Sequence, residues 1–141
     1  VSAGSVDQPH FAVQKAIFER LTGDVPLMSD ITGVYDGTAP EGVAYPYVII
    51  GETISTPDNA HGFFGRSIVT TLHVWSKARG HGQGLGIEGH IIRLLDHQPL
   101  EVPGHTVVSV RYEFSQTLID PAPPGDIRHI PIRFRITTGQ E

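Results

Sequence analysis

Histidine dominates the chemistry open to this chain: eight of its 141 residues are His, and none is Cys. Without cysteine there is no disulfide framework, thiol nucleophile, CxxC redox pair or cysteine-ligated zinc. A histidine-built zinc site places ligands four apart on a helix, as in HExxH, or pairs them with carboxylates. His90 and His97 stand about two turns apart on one helical stretch, with His81 before them, and match neither pattern. His97, near a helix C-terminus, is explained by the dipole there. His73 alternates within a strand, where packing or a hydrogen bond accounts for it. No metal is expected.

Gly84-Leu85-Gly86-Ile87-Glu88-Gly89 reads as GxGxxG at the start of a helix. In a dinucleotide site such glycines let a pyrophosphate rest on backbone N–H groups and the helix dipole. Here about eight residues separate the preceding strand from the first glycine, where that site needs a tight turn. The chain downstream offers an antiparallel hairpin rather than further βαβ units, and no acid ends a following parallel strand. The glycines read instead as a flexible entry loop that lets the helix pack closely, and no cofactor is expected. Asp36, Glu41, Glu52 and Asp58 could pair as catalytic carboxylates, but acids beside turns are ordinarily caps or solvated. No serine has a GxSxG setting and there is no P-loop pattern. The chain reads as non-enzymatic.

Two features exceed an ordinary surface. Gly62-Phe63-Phe64-Gly65 lies at the tip of a long hairpin loop. Docking on a partner would bury each aromatic ring, at about 1.5–3 kcal/mol apiece; the alternative is a local lid. Arg133 and Arg135 alternate on one strand and Arg111 lies on its neighbour, so the three share the sheet face away from the helices. Guanidinium groups there suit carboxylate pairing between subunits, against the plain alternative of a solvated face. With Arg66, which opens the strand after the Phe63–Phe64 tip, these residues form the candidate interface set. Ten Lys plus Arg against fifteen Asp plus Glu give a formal charge of −5. A protein that grips DNA phosphates carries a basic excess, so direct DNA binding is not expected. No apolar run approaches the roughly 20 residues of a membrane span, and no membrane partner is expected. Residues 1–8 lack the basic and apolar blocks of a signal peptide.

The elements that must position these residues follow from periodicity. Residues 1–8 read as a flexible N-terminal segment, and 9–138 as one α+β domain. A helix spans 9–21, with Pro9 in its first turn, Gly23 after it, and Val13, Ile17 and Leu21 on one face. A single helical turn falls near 27–30 and a short strand at 34–36. Strong strands cover 47–54 and 66–76; both faces of the second are apolar enough to be covered, one of them by another subunit. A helix spans 85–97 with Ile87, Ile91, Leu94 and Leu95 in one stripe. Residues 107–120 and 127–138 alternate on either side of Pro121-Ala122-Pro123-Pro124-Gly125 and pair as an antiparallel hairpin. Val108, Val110, Tyr112 and Phe114 are expected on one side of the first strand. The fold class is therefore α+β: a mostly antiparallel sheet with two helices packed on one face.

Taken in order, Val34-Tyr35-Asp36, Tyr45-Pro46-Tyr47-Val48-Ile49-Ile50-Gly51-Glu52, Leu72-His73-Val74-Trp75-Ser76 and Leu94-Leu95-Asp96 with Pro99-Leu100 form a recognisable series. It continues through Val110-Arg111-Tyr112, Asp120-Pro121, Arg128-His129 and Arg133-Phe134-Arg135. Across residues 9–137 this series resembles the tail-completion, or tail-terminator, proteins of long-tailed bacteriophages and gene-transfer particles. The resemblance implies a homo-hexameric ring that caps the tail tube, stops its growth and joins it to the head. Its partners would be copies of itself, the tail-tube protein and a head–tail connector or neck protein. DNA would pass through the lumen without specific binding. The place implied is the head-proximal end of the virion tail, after assembly in the host cytoplasm, and no catalytic residues come with it. The chain departs from the family in the 121–125 turn, the glycine-rich 80–86 loop and the Phe63–Phe64 tip. Two other readings stay open at this point: a ligand-binding or enzymatic α+β domain using the 80–90 loop, and a tail-tube subunit. If Trp75 is buried, Trp75→Ala costs about 3–5 kcal/mol; a thermal melt that does not move places it on an exposed face.

Overall fold

The computed structural model describes residues 10–57 and 65–140. The expected N-terminal segment 1–8 and the Phe63–Phe64 tip lie outside the described residues. Helix α1 (His10–Thr22) buries Val13, Ile17 and Leu21, spaced one turn apart. It stops where the Gly23 N–H donates back to the Glu19 carbonyl at 3.0 Å. Helix α2 (Val25–Asp30) starts on an Asp24 cap, whose carboxylate accepts from the Leu27 N–H at 3.0 Å. Strands β1 (Val34–Asp36), β2 (Tyr47–Pro57) and β3 (Gly65–Lys77) precede helix α3 (Gly82–Leu95). Strands β4 (His105–Ser115), β5 (Leu118–Ile119) and β6 (Ile127–Gln140) follow.

These six strands make one sheet in the order β1-β2-β3-β6-β4, with β5 also paired to β6. Its spine is the β3–β6 ladder, in register without interruption from Gly65↔Gly139 to Lys77↔Ile127. Directly opposed residues share a face, so Ile68, Leu72 and Val74 of β3 lie beside Ile132, Phe134 and Ile136 of β6 on one side. That side carries the core, closed by α1, α2 and α3 through Ile17, Leu21, Leu27, Ile87, Ile91 and Leu95. The other side, here the outer face, carries Val69, His73, Trp75, His129, Arg133 and Arg135 and has no helix on it among the described residues.

The fold is α+β as expected, with a third, short helix and one parallel pair, β1 with β2. Trp75 is half-buried on the outer face, so its truncation costs less than a full core deletion. The expected alternation of Val108, Val110, Tyr112 and Phe114 fails. Register shifts at Val107/Ser109 and Tyr112/Phe114 each insert a residue into β4 and turn the strand over. Val110 is buried, whereas Val108 and Phe114 are exposed.

Helix α3 begins at Gly82, three residues before the expected start, so Gly84 joins Gly86 and Gly89 inside it and is not in an entry loop. Tertiary packing overrides their poor helix propensity, and Gly84 shows how. A Cβ there would stand 2.9 Å from Ile130 Cδ1 and 3.4 Å from Ser76 Oγ, so the bare backbone lets α3 press onto the sheet. Gly86 and Gly89 face open space. Gly86→Ala and Gly89→Ala should each stabilise the fold by about 0.5–1 kcal/mol, whereas Gly84→Val should destabilise it; denaturant midpoints of the three variants check this.

Candidate functional site

The outer face gathers most of the polar chemistry of the sheet. Register sets Trp75 of β3 opposite His129 of β6, and the two rings stack with centroids 4.0 Å apart. His73 lies two residues back on the same face, with Nδ1 2.7 Å from His129 Nε2 and Nε2 3.1 Å from Glu52 Oε1. One proton arrangement satisfies both contacts with neutral rings. His129 Nε2–H donates to His73 Nδ1, and His73 Nε2–H donates to the Glu52 carboxylate. Gly51 makes room for it: a Cβ there would lie 2.6 Å from the His73 ring. Burial, and after it the nearby His73, hold His129 below its ordinary 6.5. Burial pushes Glu52 up, but its backbone hydrogen bond and His73 outweigh that and leave it below its ordinary 4.5.

Toward the β4 edge the same face becomes cationic. Arg135 donates to Glu113 Oε2 at 2.7 Å and to Ser67 Oγ at 2.6 Å. Arg133 lies over the Phe114 ring, 5.3 Å from its centroid, and Arg111 is paired opposite Arg135. Neither Arg111 nor Arg133 has a carboxylate partner among the described residues. Arg66 does not join them. It pairs with Thr138, in phase with Ile68, and so stands on the helix side of the sheet, where it donates to the Gly65 carbonyl at 3.1 Å.

Toward the β1 edge lies a groove of about 520 Å³ whose walls include Pro40, Val43, Tyr45, Tyr47, Ile49 and Trp75. Tyr47 packs on Tyr35 and Tyr45, with centroids 6.1 and 5.2 Å away, and burial followed by Tyr45 raises its phenol above 10.0.

The other residues singled out in the sequence serve the scaffold. His90 Nε2 meets Asp30 at 3.2 Å and Arg93 donates to Asp24 at 2.8 Å, which ties α3 to α2. The Arg93 hydrogen bond, and then that of Leu27, hold Asp24 below its ordinary 3.8. His97 stands past the end of α3 with φ 59°, and its N–H bonds the Val110 carbonyl at 2.9 Å. Among the described residues no three His, Asp or Glu side chains converge as metal ligands. Of the acids, Asp36 accepts from Gln14 and Glu52 from His73, while Asp58 lies outside the described residues.

Among the described residues, the outer face combines an aromatic groove with two arginines that lack carboxylate partners, the make-up of a contact surface. The sequence matches the family of tail completion protein gp17 over residues 15–139. Tail completion protein gp17 of Bacillus phage SPP1 is 31% identical over 126 residues, 89% of this chain and 91% of that protein. The chain belongs to the tail completion protein gp17 family: it is a structural component of a virion tail and not an enzyme. The solved structure of bacteriophage SPP1 gp17 superposes with a TM-score of 0.59 at 28% identity, covering 88% of each chain. A chain from the virion of a native gene transfer agent particle shares the fold at a TM-score of 0.79, with 20% identity, 97% of this chain and 99% of that one covered.

The histidine chain has a consequence in solution. A histidine held below its ordinary value binds its proton more tightly in the unfolded chain, so stability is full above about pH 6.5 and falls as pH drops through that value. Asp24 and Glu52 titrate lower still. The melting temperature should therefore drop between pH 7.5 and 5.5 by more in the native chain than in His129→Gln; parallel pH-dependent melts check this.

Proposed function

We propose that the chain works as a homo-hexameric ring that caps the tail tube at its head-proximal end. The ring ends elongation and forms part of the surface that receives the head. The outer face carries this reading: an apolar and cationic sheet surface that no described helix covers, in a tail completion protein. A monomer rarely leaves such a surface bare. Arg111 and Arg133, with Phe114, supply groups for contacts between copies. Arg66, Arg135, Phe63 and Phe64 complete the proposed interface set, toward the neighbouring copy, the tail-tube protein below or the head–tail connector above. Residues 9–138 act as one domain in each copy, and assembly takes place in the host cytoplasm.

DNA passes through the ring without specific binding. Six copies at −5 carry a formal charge of −30. A passage that gripped phosphates would hold the genome with salt-sensitive affinity. The lumen is therefore neutral or acidic, and the arginines lie at contacts between copies. Mass measurement and negative-stain images of the purified chain, alone and with tail tubes, should give six-fold rings and capped tube ends. Open-ended tubes would mean a tube subunit. A monomer that ignores tube ends and melts higher with an added nucleotide would mean a ligand-binding domain. A channel lined by Arg111, Arg133 and Arg135 would overturn the placement of the arginines.

A further inference from the structure

The turn at residues 120–126 is more heavily built than a connection needs. Asp120 Oδ1 accepts from the Ala122 N–H at 3.0 Å, and the Gly125 N–H donates to the Ala122 carbonyl at 2.8 Å. Ala78 N–H closes on the Asp126 carbonyl at 2.7 Å. Arg128, only 7% exposed, donates to the Gly125 carbonyl at 2.7 Å and to the Arg79 carbonyl. Burying a guanidinium is costly, and here it clamps the base of a turn. The tip, Pro121, Ala122, Pro123 and Pro124, is exposed. A rigid apolar knob therefore stands in water with its ordering already complete.

The groove beneath Pro40 is its chemical counterpart. Proline rings dock on aromatic walls, and Tyr45, Tyr47 and Trp75 supply them. Its loop is pinned as well: Gly37 N–H donates to the Ile50 carbonyl at 2.9 Å and Thr32 Oγ1 to the Ala44 carbonyl at 2.7 Å. Knob and groove sit at the same end of the sheet, as the pairs Tyr47↔Trp75 and Lys77↔Ile127 fix. They sit at opposite lateral edges, the groove by β1 and β2, the turn by β5 and β6. Exposed Arg79 lies beside the turn with Pro124 and Asp126, and exposed Glu41 falls in the chain between Pro40 and Gly42, which line the groove.

We propose that the 121–124 turn of one copy seats in the Tyr45–Tyr47–Trp75 groove of the next copy. This rests on the ring reading and adds to it which surfaces meet. A knob at one edge and a socket at the other make a head-to-tail contact, which a rotation closes into a ring. Because both partners are ordered beforehand, little conformational entropy is lost on docking.

The chain has no cysteine and one tryptophan, which makes the test clean. Ala122→Cys and Ala39→Cys variants, mixed and treated with a short bis-maleimide, should cross-link to each other and not to themselves. The double variant should give a ladder ending at the ring size. Pro121→Ser with Pro123→Ser and Pro124→Ser should raise the concentration for half-assembly at least tenfold and abolish the shift of Trp75 emission on assembly. Rings seen by mass without the ladder, or either single variant cross-linking with itself, overturn the contact and leave the ring standing. So does a groove that answers a free proline-rich peptide while turn-substituted rings persist; its occupant is then a foreign protein. A chain that forms no ring, free or on tube ends, defeats the ring reading and this contact with it.

Discussion

The uninterrupted ladder between β3 and β6 is the constraint on which the rest depends. Thirteen residues of β3 run beside β6 without a slip, so the two strands divide their side chains between two faces in phase. One face carries Ile68, Leu72, Val74, Ile130, Ile132, Phe134 and Ile136 and draws three helices onto itself. The other receives, through the same phase, the histidine pair, the tryptophan and two arginines. A one-residue slip would exchange the faces and lose the core and the outer cluster together. Both faces therefore rest on the same hydrogen bonds.

The helix layer is fastened at few points, each of which brings distant parts of the chain together. Gly84 removes the side chain that would hold α3 off the sheet. Arg20 reaches from α1 to the carbonyls of Leu94 and Pro99 and so holds the end of α3 against its first neighbour. Arg93 and Asp24 do the same between α3 and α2. These contacts keep the helices on one face, and their position there is what leaves the other free.

Much of this was legible in the residues. The stripe of Val13, Ile17 and Leu21 gave a helix within a residue of α1, the β-favouring run after Pro46 gave the core of β2, and alternation in 66–76 gave that of β3. Periodicity reports which face a residue takes, because that is a local property. Register is not local. Nothing near Glu52, His73 or His129 in the chain says that their side chains meet, and the bulges that turn β4 over leave no clear mark on its alternating pattern. The glycines of α3 misled for a related reason: intrinsic preference disfavours a helix there, and packing against Ile130 decides otherwise. The proline turn was visible as composition, but the aromatic groove exists only once the fold brings Tyr45, Tyr47 and Trp75 together.

The two margins of the sheet bear on how many copies can join. β1 offers three residues, and β4 is broken twice by bulges. β1 covers only residues 48–50 of β2, whose own register shifts at Ile50/Thr53, so each margin is interrupted as a template for a newcomer's backbone. Accretion by strand addition, which has no natural end, is thereby disfavoured. In the proposed ring, copies recognise each other through side chains whose angle of approach is fixed, and a fixed angle counts its own members. A protein whose task is to finish a structure thus carries, in its two spoiled borders, the means of not starting another.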